Sequence, residues 1–228
     1  MQENRAISYF SFLQPYTAFI GLLFFFWSIA LAFSLIFTQA ELFLAVNRHH
    51  HPDADLFFML FTYIGDWPFT LLLAIIFLFI RLRNSLVLIG TMLYTGLYTH
   101  SLKFLLHHPR PALYFEHLDP IYTIKDYALR NSLSFPSGHT TCVFALCITL
   151  CYILRTKNQI GLFFLALLVS FSRVYLSQHF FKDLMAGSLI GTFFALHLLW
   201  LFEKRDWYYH PALNNSIISL IKRNKPVS

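Results

Sequence analysis

Six apolar runs, separated by polar breaks, dominate this chain: residues 18–37, 56–80, 86–106, 137–154, 160–175 and 180–202. A helix crossing a bilayer needs about 20 mostly apolar residues, and each run meets or approaches that length. The pattern predicts an all-α fold, an integral membrane bundle of six transmembrane helices. It is read as one membrane-embedded domain over residues 1–228, with the chemistry-bearing motifs inside 103–183 and a basic C-terminal tail at 203–228. The second run is interrupted by Gly65-Asp66-Trp67-Pro68. Proline removes a backbone donor there, so a kink is expected. Asp66 is then an acid at membrane depth, a functional candidate by default. Nothing adjacent in sequence completes a site around it, so it is read as a carboxyl group hydrogen-bonded at the kink.

The first run could pass for a secretory signal, since Thr38-Gln39-Ala40 resembles a cleavage site. It is longer than a typical signal core and only Arg5 precedes it as a cation, which favours a retained helix. The links also differ. Residues 39–55 carry His49-His50-His51, residues 107–136 carry four prolines, and the tail carries Trp207, Tyr208 and Tyr209, side chains suited to a membrane interface.

Composition agrees with this map: 57% hydrophobic and 12% charged residues suit a membrane bundle and exclude an ordinary soluble domain of this size. The net charge of +6 is unevenly placed. Ten of the 17 cations (Arg5, Arg81, Arg83, Arg155, Lys157, Lys204, Arg205, Lys222, Arg223 and Lys225) fall on the side holding both termini of an alternating six-helix topology. Positive charge collects on the cytoplasmic side, so both termini are expected there in a multi-pass cell (inner) membrane protein. The basic tail needs no nucleic acid to explain it. Cys142, Cys147 and Cys151 lie in one apolar stretch, too few and too buried for a disulfide framework, and are read as packing residues.

On the same map the unusual polar residues converge. Lys103 and Arg110 lie at the end of the third helix, Ser137, Gly138 and His139 at the start of the fourth, Arg173 at the end of the fifth, and His179 and Asp183 at the start of the sixth. All four ends share one face of the membrane, opposite the tail. Three cations at a bilayer edge call for an anion. Arg offers a planar fork matched to phosphate oxygens and Lys a point charge. The start of the fourth helix presents free N–H groups and its dipole to an anion, and Gly138 permits close approach. His179 and Asp183, four apart, share a helix face. An aspartate on one imidazole nitrogen fixes the tautomer and frees the other nitrogen to attack. His139 remains to protonate a leaving oxygen.

The three segments Lys103-x6-Arg110-Pro111, Pro136-Ser137-Gly138-His139 and Ser172-Arg173-x5-His179-x3-Asp183 resemble the three-part signature of the type 2 phosphatidic acid phosphatases. That superfamily also includes bacterial acid phosphatases and vanadium-dependent haloperoxidases. The resemblance implies a metal-independent hydrolase with no cofactor. His179 would form a phosphohistidine and Asp183 would orient it. His139 would serve as acid and then base. Lys103, Arg110, Ser137, Gly138 and Arg173 would bind phosphoryl oxygens. The expected partners are the bilayer and an amphiphilic phosphate at the non-cytoplasmic face. Undecaprenyl pyrophosphate, phosphatidylglycerophosphate, phosphatidic acid and lipid A phosphates are all candidates.

The competing readings are a lipid phosphotransferase using the same site and a non-catalytic six-helix anion transporter. A transporter should line a path near the midplane, whereas these polar residues sit at one edge. A haloperoxidase would need vanadate. The clusters His49-His50-His51 and His107-His108 lack zinc-motif spacing and are read as solvated or interfacial loop histidines. Gly187-x3-Gly191 is expected to pack within the bundle. Residues 112–131 are expected to shape the substrate entrance.

Overall fold

The computed structural model describes residues 7–118, 120–125, 127–130 and 132–223, so Arg5, Asn131 and Lys225 lie outside the described residues. The described residues contain helices and connecting turns but no strand. In chain order the helices are α1 (Tyr9–Ile36), α2 (Gln39–Asn47), α3 (Pro52–Gly65), α4 (Trp67–Leu78), α5 (Leu82–Leu106), α6 (Gly138–Leu154), α7 (Gln159–Tyr175), α8 (Phe181–Glu203) and α9 (Ile217–Arg223). Single helical turns at Pro111–Tyr114 and Asp206–Tyr209 punctuate the links.

By length and composition two helices, α1 and α8, can cross a membrane, and a third crossing arises if α3 and α4 count as one bent span. α6 and α7 are apolar but only 17 residues each. α5 reaches 25 residues, yet its threonines, serines and glycines dilute its hydropathy. The apolar runs therefore all become helices, though not all carry a full span by this measure. The short ones end where chemistry replaces hydrocarbon: α6 begins at the cavity described below, and α7 ends beside it.

α1 is apolar all round, and only 11% of its most apolar window is buried. Such a helix faces lipid and not water. Its inner face packs Phe19 and Leu23 against Phe144 and Phe163. α6 is the axis of the molecule: ten of its residues are buried, and α5, α7, α8 and the α3–α4 junction all pack against it.

The predicted kink at Pro68 is a 54° break between α3 and α4. Asp66 caps α4 by accepting a hydrogen bond from the Trp67 N–H at 3.0 Å. A Cβ on Gly65 would lie 3.2 Å from the His139 carbonyl oxygen and 2.8 Å from Val169, so only glycine lets this break seat on the start of α6. The Gly187/Gly191 pair packs within the bundle as expected. A Cβ on Gly187 would lie 2.7 Å from the Ser137 carbonyl, and one on Gly191 would overlap the Thr141 carbonyl. Gly191 itself lies in a π-helical turn, Ile190–Phe194.

The histidine-rich link corrects the sequence reading. His49 and His51 are exposed, but the His50 side chain is buried between the rings of Tyr122 and Tyr175, at 4.1 and 4.2 Å centroid separation, with Nδ1 2.8 Å from Asp55 Oδ1. Asp55 also accepts hydrogen bonds from the hydroxyls of Tyr122 and Tyr175. A local reading could not foresee this, because the covering rings come from 67 and 120 residues downstream of Asp55.

Candidate active site

The turn between α7 and α8 sets the central side chains. The N–H groups of Gln178 and His179 both fold back onto the Arg173 carbonyl, at 2.9 and 3.1 Å. Ser177 sits at φ 57°, in the left-handed region that non-glycine residues adopt at a cost of roughly 1–3 kcal/mol. The Ser177 hydroxyl is held between the Asn47 amide and the Tyr122 carbonyl, which keeps this turn in place. One tight loop thus fixes Arg173 and His179 relative to each other.

His179 is buried at 1% exposure. Its Nδ1 faces Asp183 Oδ2 at 3.2 Å and the Ser134 hydroxyl at 3.3 Å, while Nε2 lies 3.3 Å from Arg110 Nη1. A guanidinium can only donate, so Nε2 is the acceptor and the proton resides on Nδ1. Asp183 Oδ2 further accepts from the Ser134 hydroxyl at 2.5 Å and the Phe180 N–H at 2.9 Å, which locks the carboxylate in place. Burial first, and then the charges of Arg110, Lys103 and Arg173, hold the His179 imidazole well below its usual range, so it is neutral near pH 7.

The hydrogen bonds that the cations make all go to neutral groups or to the His179 ring. Lys103 Nζ donates to the carbonyls of Leu133 (2.6 Å) and Ser134 (3.3 Å). Arg110 donates to the Ser132 carbonyl and to both the backbone and side-chain oxygens of Gln178. Burial, then the charges of Arg173 and Arg130, pull Arg110 down to about 10, which still leaves it charged at neutral pH. Arg173 donates to Thr62 Oγ1 at 2.8 Å and to the Tyr127 hydroxyl at 3.2 Å. Every ion pair among the described residues joins a histidine to an aspartate, so none of these cations is neutralised by a carboxylate. Their partners are neutral, the buried Nε of Arg173 has no hydrogen-bond partner among the described residues, and their charge is unpaired, which is the electrostatic signature of an anion site.

A cavity of about 690 Å³ opens onto this group. Lys103, Arg110, Gly138, His139, Arg173 and His179 all line it, so six of the eight residues singled out from the sequence meet in one space. Asp183 stands behind His179 with 0% exposure, as an orienting group should. Ser137 differs. Its hydroxyl caps α6 by accepting from the Thr140 N–H and hydroxyl, and its own N–H donates to the Asp183 carbonyl. Its N–H is committed to Asp183 and its hydroxyl oxygen to Thr140, and Ser137 does not line the cavity. Gly138 and His139, next along, have no intrahelical acceptor for their N–H groups.

Sequence reasoning missed several residues. Ser134, fully buried, bridges His179 and Asp183. Gln178 ties Arg110 to the Ala128 carbonyl of the 115–137 link. Thr62, Tyr127 and Arg130 complete the cavity wall. None of them falls in a spaced motif. Asp66 does more than cap: it lines the same cavity, in a site completed by residues distant in sequence. Cys142 is likewise on the wall and not simply in the core.

This arrangement can be set beside known proteins. The family model described as the PAP2 superfamily matches residues 84–207, just over half the chain and all of the cations that line the cavity. The chain belongs to the PAP2 superfamily. It is 26% identical over 179 residues to the lipid A 4'-phosphatase of Porphyromonas gingivalis, covering 74% of this chain and 75% of that one. The crystal structure of LpxE from Aquifex aeolicus aligns with a TM-score of 0.62 at 30% identity, covering 70% of this chain and 93% of that one. That of a transmembrane PAP2 type phosphatidylglycerolphosphate phosphatase from Bacillus subtilis gives 0.54 at 21% identity, over 82% and 96%, a likeness of fold. The protein is a membrane lipid phosphatase of this superfamily, a phosphoric monoester hydrolase.

Proposed function

We propose that this PAP2 phosphatase hydrolyses a lipid A or phosphatidylglycerophosphate-type phosphate through a phosphohistidine on His179, without a metal ion. The bundle is read as six helices in a single membrane-embedded domain, with both termini cytoplasmic and the cavity opening on the opposite face. The observation that carries the chemistry is the polarity of His179. Nδ1 is committed to Asp183 and Ser134, while an unprotonated Nε2 faces a cavity shared with three uncompensated cations and His139.

In the first step the Nε2 lone pair attacks phosphorus and the bond from phosphorus to the leaving oxygen breaks. His139 donates a proton to that oxygen. In the second, water attacks phosphorus as His139 takes its proton, and the N–P bond returns its electrons to Nε2. Lys103, Arg110, Arg173 and the N–H groups of Gly138 and His139 hold the three equatorial oxygens, where charge stabilisation has most effect in phosphoryl transfer. Asp183 stabilises the ring as it gains positive charge. Ser137 starts the helix that aims Gly138 and His139, and its hydroxyl proton remains to be donated to a phosphoryl oxygen.

His179→Ala should lower phosphate release by about a thousandfold or more while the protein still inserts in membrane. Brief exposure of the wild type to substrate bearing radioactive phosphate, then alkaline quench, should leave acid-labile label on the protein and none on the variant. Normal turnover by the variant refutes the assignment.

A further inference from the structure

We propose that Arg130, on the link between α5 and α6, is a fourth phosphate-binding cation of this enzyme. The inference rests on the phosphatase reading above and adds to its site a residue that none of the three motif segments contains.

Lys103, Arg110 and Arg173 stand at or beside helix ends, whereas Arg130 comes from the link. It nevertheless lines the same cavity. The chain on either side of it is pinned to the site itself. Before it, the Tyr127 hydroxyl accepts from Arg173 at 3.2 Å and the Ala128 carbonyl accepts from the Gln178 amide at 3.0 Å. After it, the Ser132 carbonyl accepts from Arg110 at 3.0 Å and the Leu133 carbonyl from Lys103 at 2.6 Å. Arg130 lies two residues from the nearer anchor on each side, Ala128 and Ser132. Its backbone cannot leave the cavity wall unless the phosphate-binding side chains let go of the link.

A cation on a loop is usually a solvated one. Lys125 of the same link, exposed and off the cavity wall, fits that description. Arg130 does not, because it is held among like charges. Burial first, then the charges of Arg173 and Arg130, pull Arg110 below its ordinary value. Among the described residues no carboxylate pairs with Arg130, since every ion pair joins a histidine to an aspartate. The two acids nearby are engaged elsewhere. Asp183 accepts from the Ser134 hydroxyl and the Phe180 N–H, and Asp66 caps α4. Gathering four cations around one space costs free energy that an entering anion offsets.

The donors point the same way. Lys103, Arg110 and Arg173 each spend part of their N–H groups on the protein. Among the described residues Arg130 has no hydrogen-bond partner, so its whole planar fork is available to phosphoryl oxygens. It is also exposed, so it can meet a phosphate as the phosphate enters.

The test uses the full-length enzyme in detergent, with phosphatidylglycerophosphate and lipid A as substrates and inorganic phosphate as competitive inhibitor. Arg130→Gln breaks no bond among the described residues, so its unfolding temperature should match the wild type. It should raise KM for the lipid and Ki for inorganic phosphate by the same factor, about five- to tenfold at low salt, and Arg130→Lys should recover part of the loss. High salt should narrow the gap, because an exposed charge is screened. A raised KM with an unchanged Ki overturns the proposal and makes Arg130 a contact for the rest of the headgroup or for the membrane surface. Unchanged values of both also overturn it and leave a solvated charge. Either result leaves the phosphatase reading standing, whereas a wild type that releases phosphate from neither lipid sinks that reading and the proposal with it.

Discussion

Ser134 shows what a single hydroxyl can decide. It donates to Asp183 at 2.5 Å and touches the Nδ1 side of His179, so it helps set the direction in which Nε2 points. Ser134→Ala leaves the cavity wall and its cations in place while loosening that carboxylate. Its kcat should fall about tenfold, worth about 1.4 kcal/mol, with KM nearly unchanged. An equal rise in KM would mark Ser134 as a substrate contact instead. The neutral state of His179 has a pH consequence. Burial and surrounding cations both oppose adding a proton, so the reactive form persists as pH drops and is lost only when pH passes through the depressed value. The acid limb of kcat/KM assigned to this group should therefore lie well below pH 6.5, the ordinary imidazole value. Asp183, His179 and the cations were legible as residues because their spacing is regular. Ser134 was not, because a lone serine in a loop carries no spacing to read.

Among the elements, the contact of α8 with α6 is set by two glycines. A Cβ at Gly191 would overlap the Thr141 carbonyl, and backbone cannot rotate away as a side chain can. Gly191→Leu should destabilise the bundle by at least about 1–3 kcal/mol, seen as a lower unfolding temperature in detergent. Gly21→Leu, where a Cβ meets nothing within 4 Å, should leave that temperature unchanged. The 115–137 link is a second element with a defined anchor. Asn47 donates to the Tyr122 carbonyl at 2.9 Å and accepts from the Tyr122 N–H at 2.8 Å, and it also donates to the Ser177 hydroxyl. Tyr127, Ala128 and Arg130 of the same link line the cavity. Asn47→Ala removes all three bonds at once. It should raise KM several-fold and speed proteolysis within residues 115–137, while the same cut in the wild type stays slow. The expectation that residues 112–131 shape the entrance came from their length and position. The anchor itself joins residues 75 apart and had no local signal.

For the whole molecule, the orientation in the membrane can be tested directly. With cytoplasmic termini, a cysteine at position 125 should react with an impermeant reagent added to intact cells and one at 157 should not. The reverse pattern inverts the topology. The basic end also has its own structure. Glu203 accepts from the hydroxyls of Tyr152 and Tyr209, and Arg83 stacks 4.8 Å from the centroid of Tyr208, so the start of the tail is docked on the ends of α5, α6 and α8. Arg81, Arg83, Lys204 and Arg205 lie at this end, and none of them lines the cavity.

The sequence by itself determined that the chain is helical and apolar, that each of the six apolar runs is helical, and which polar side chains stand at neighbouring helix ends. These properties are carried by hydrophobic period, proline and glycine placement, and residue type at fixed spacing, all of which act locally. Tertiary structure alone decided that the Ser137 N–H meets the Asp183 carbonyl, that the His50 side chain is buried, and that Asp66 shares a wall with His139 and His179. Each of those outcomes depends on which distant backbone arrives beside the side chain, and packing is settled only when the whole bundle closes.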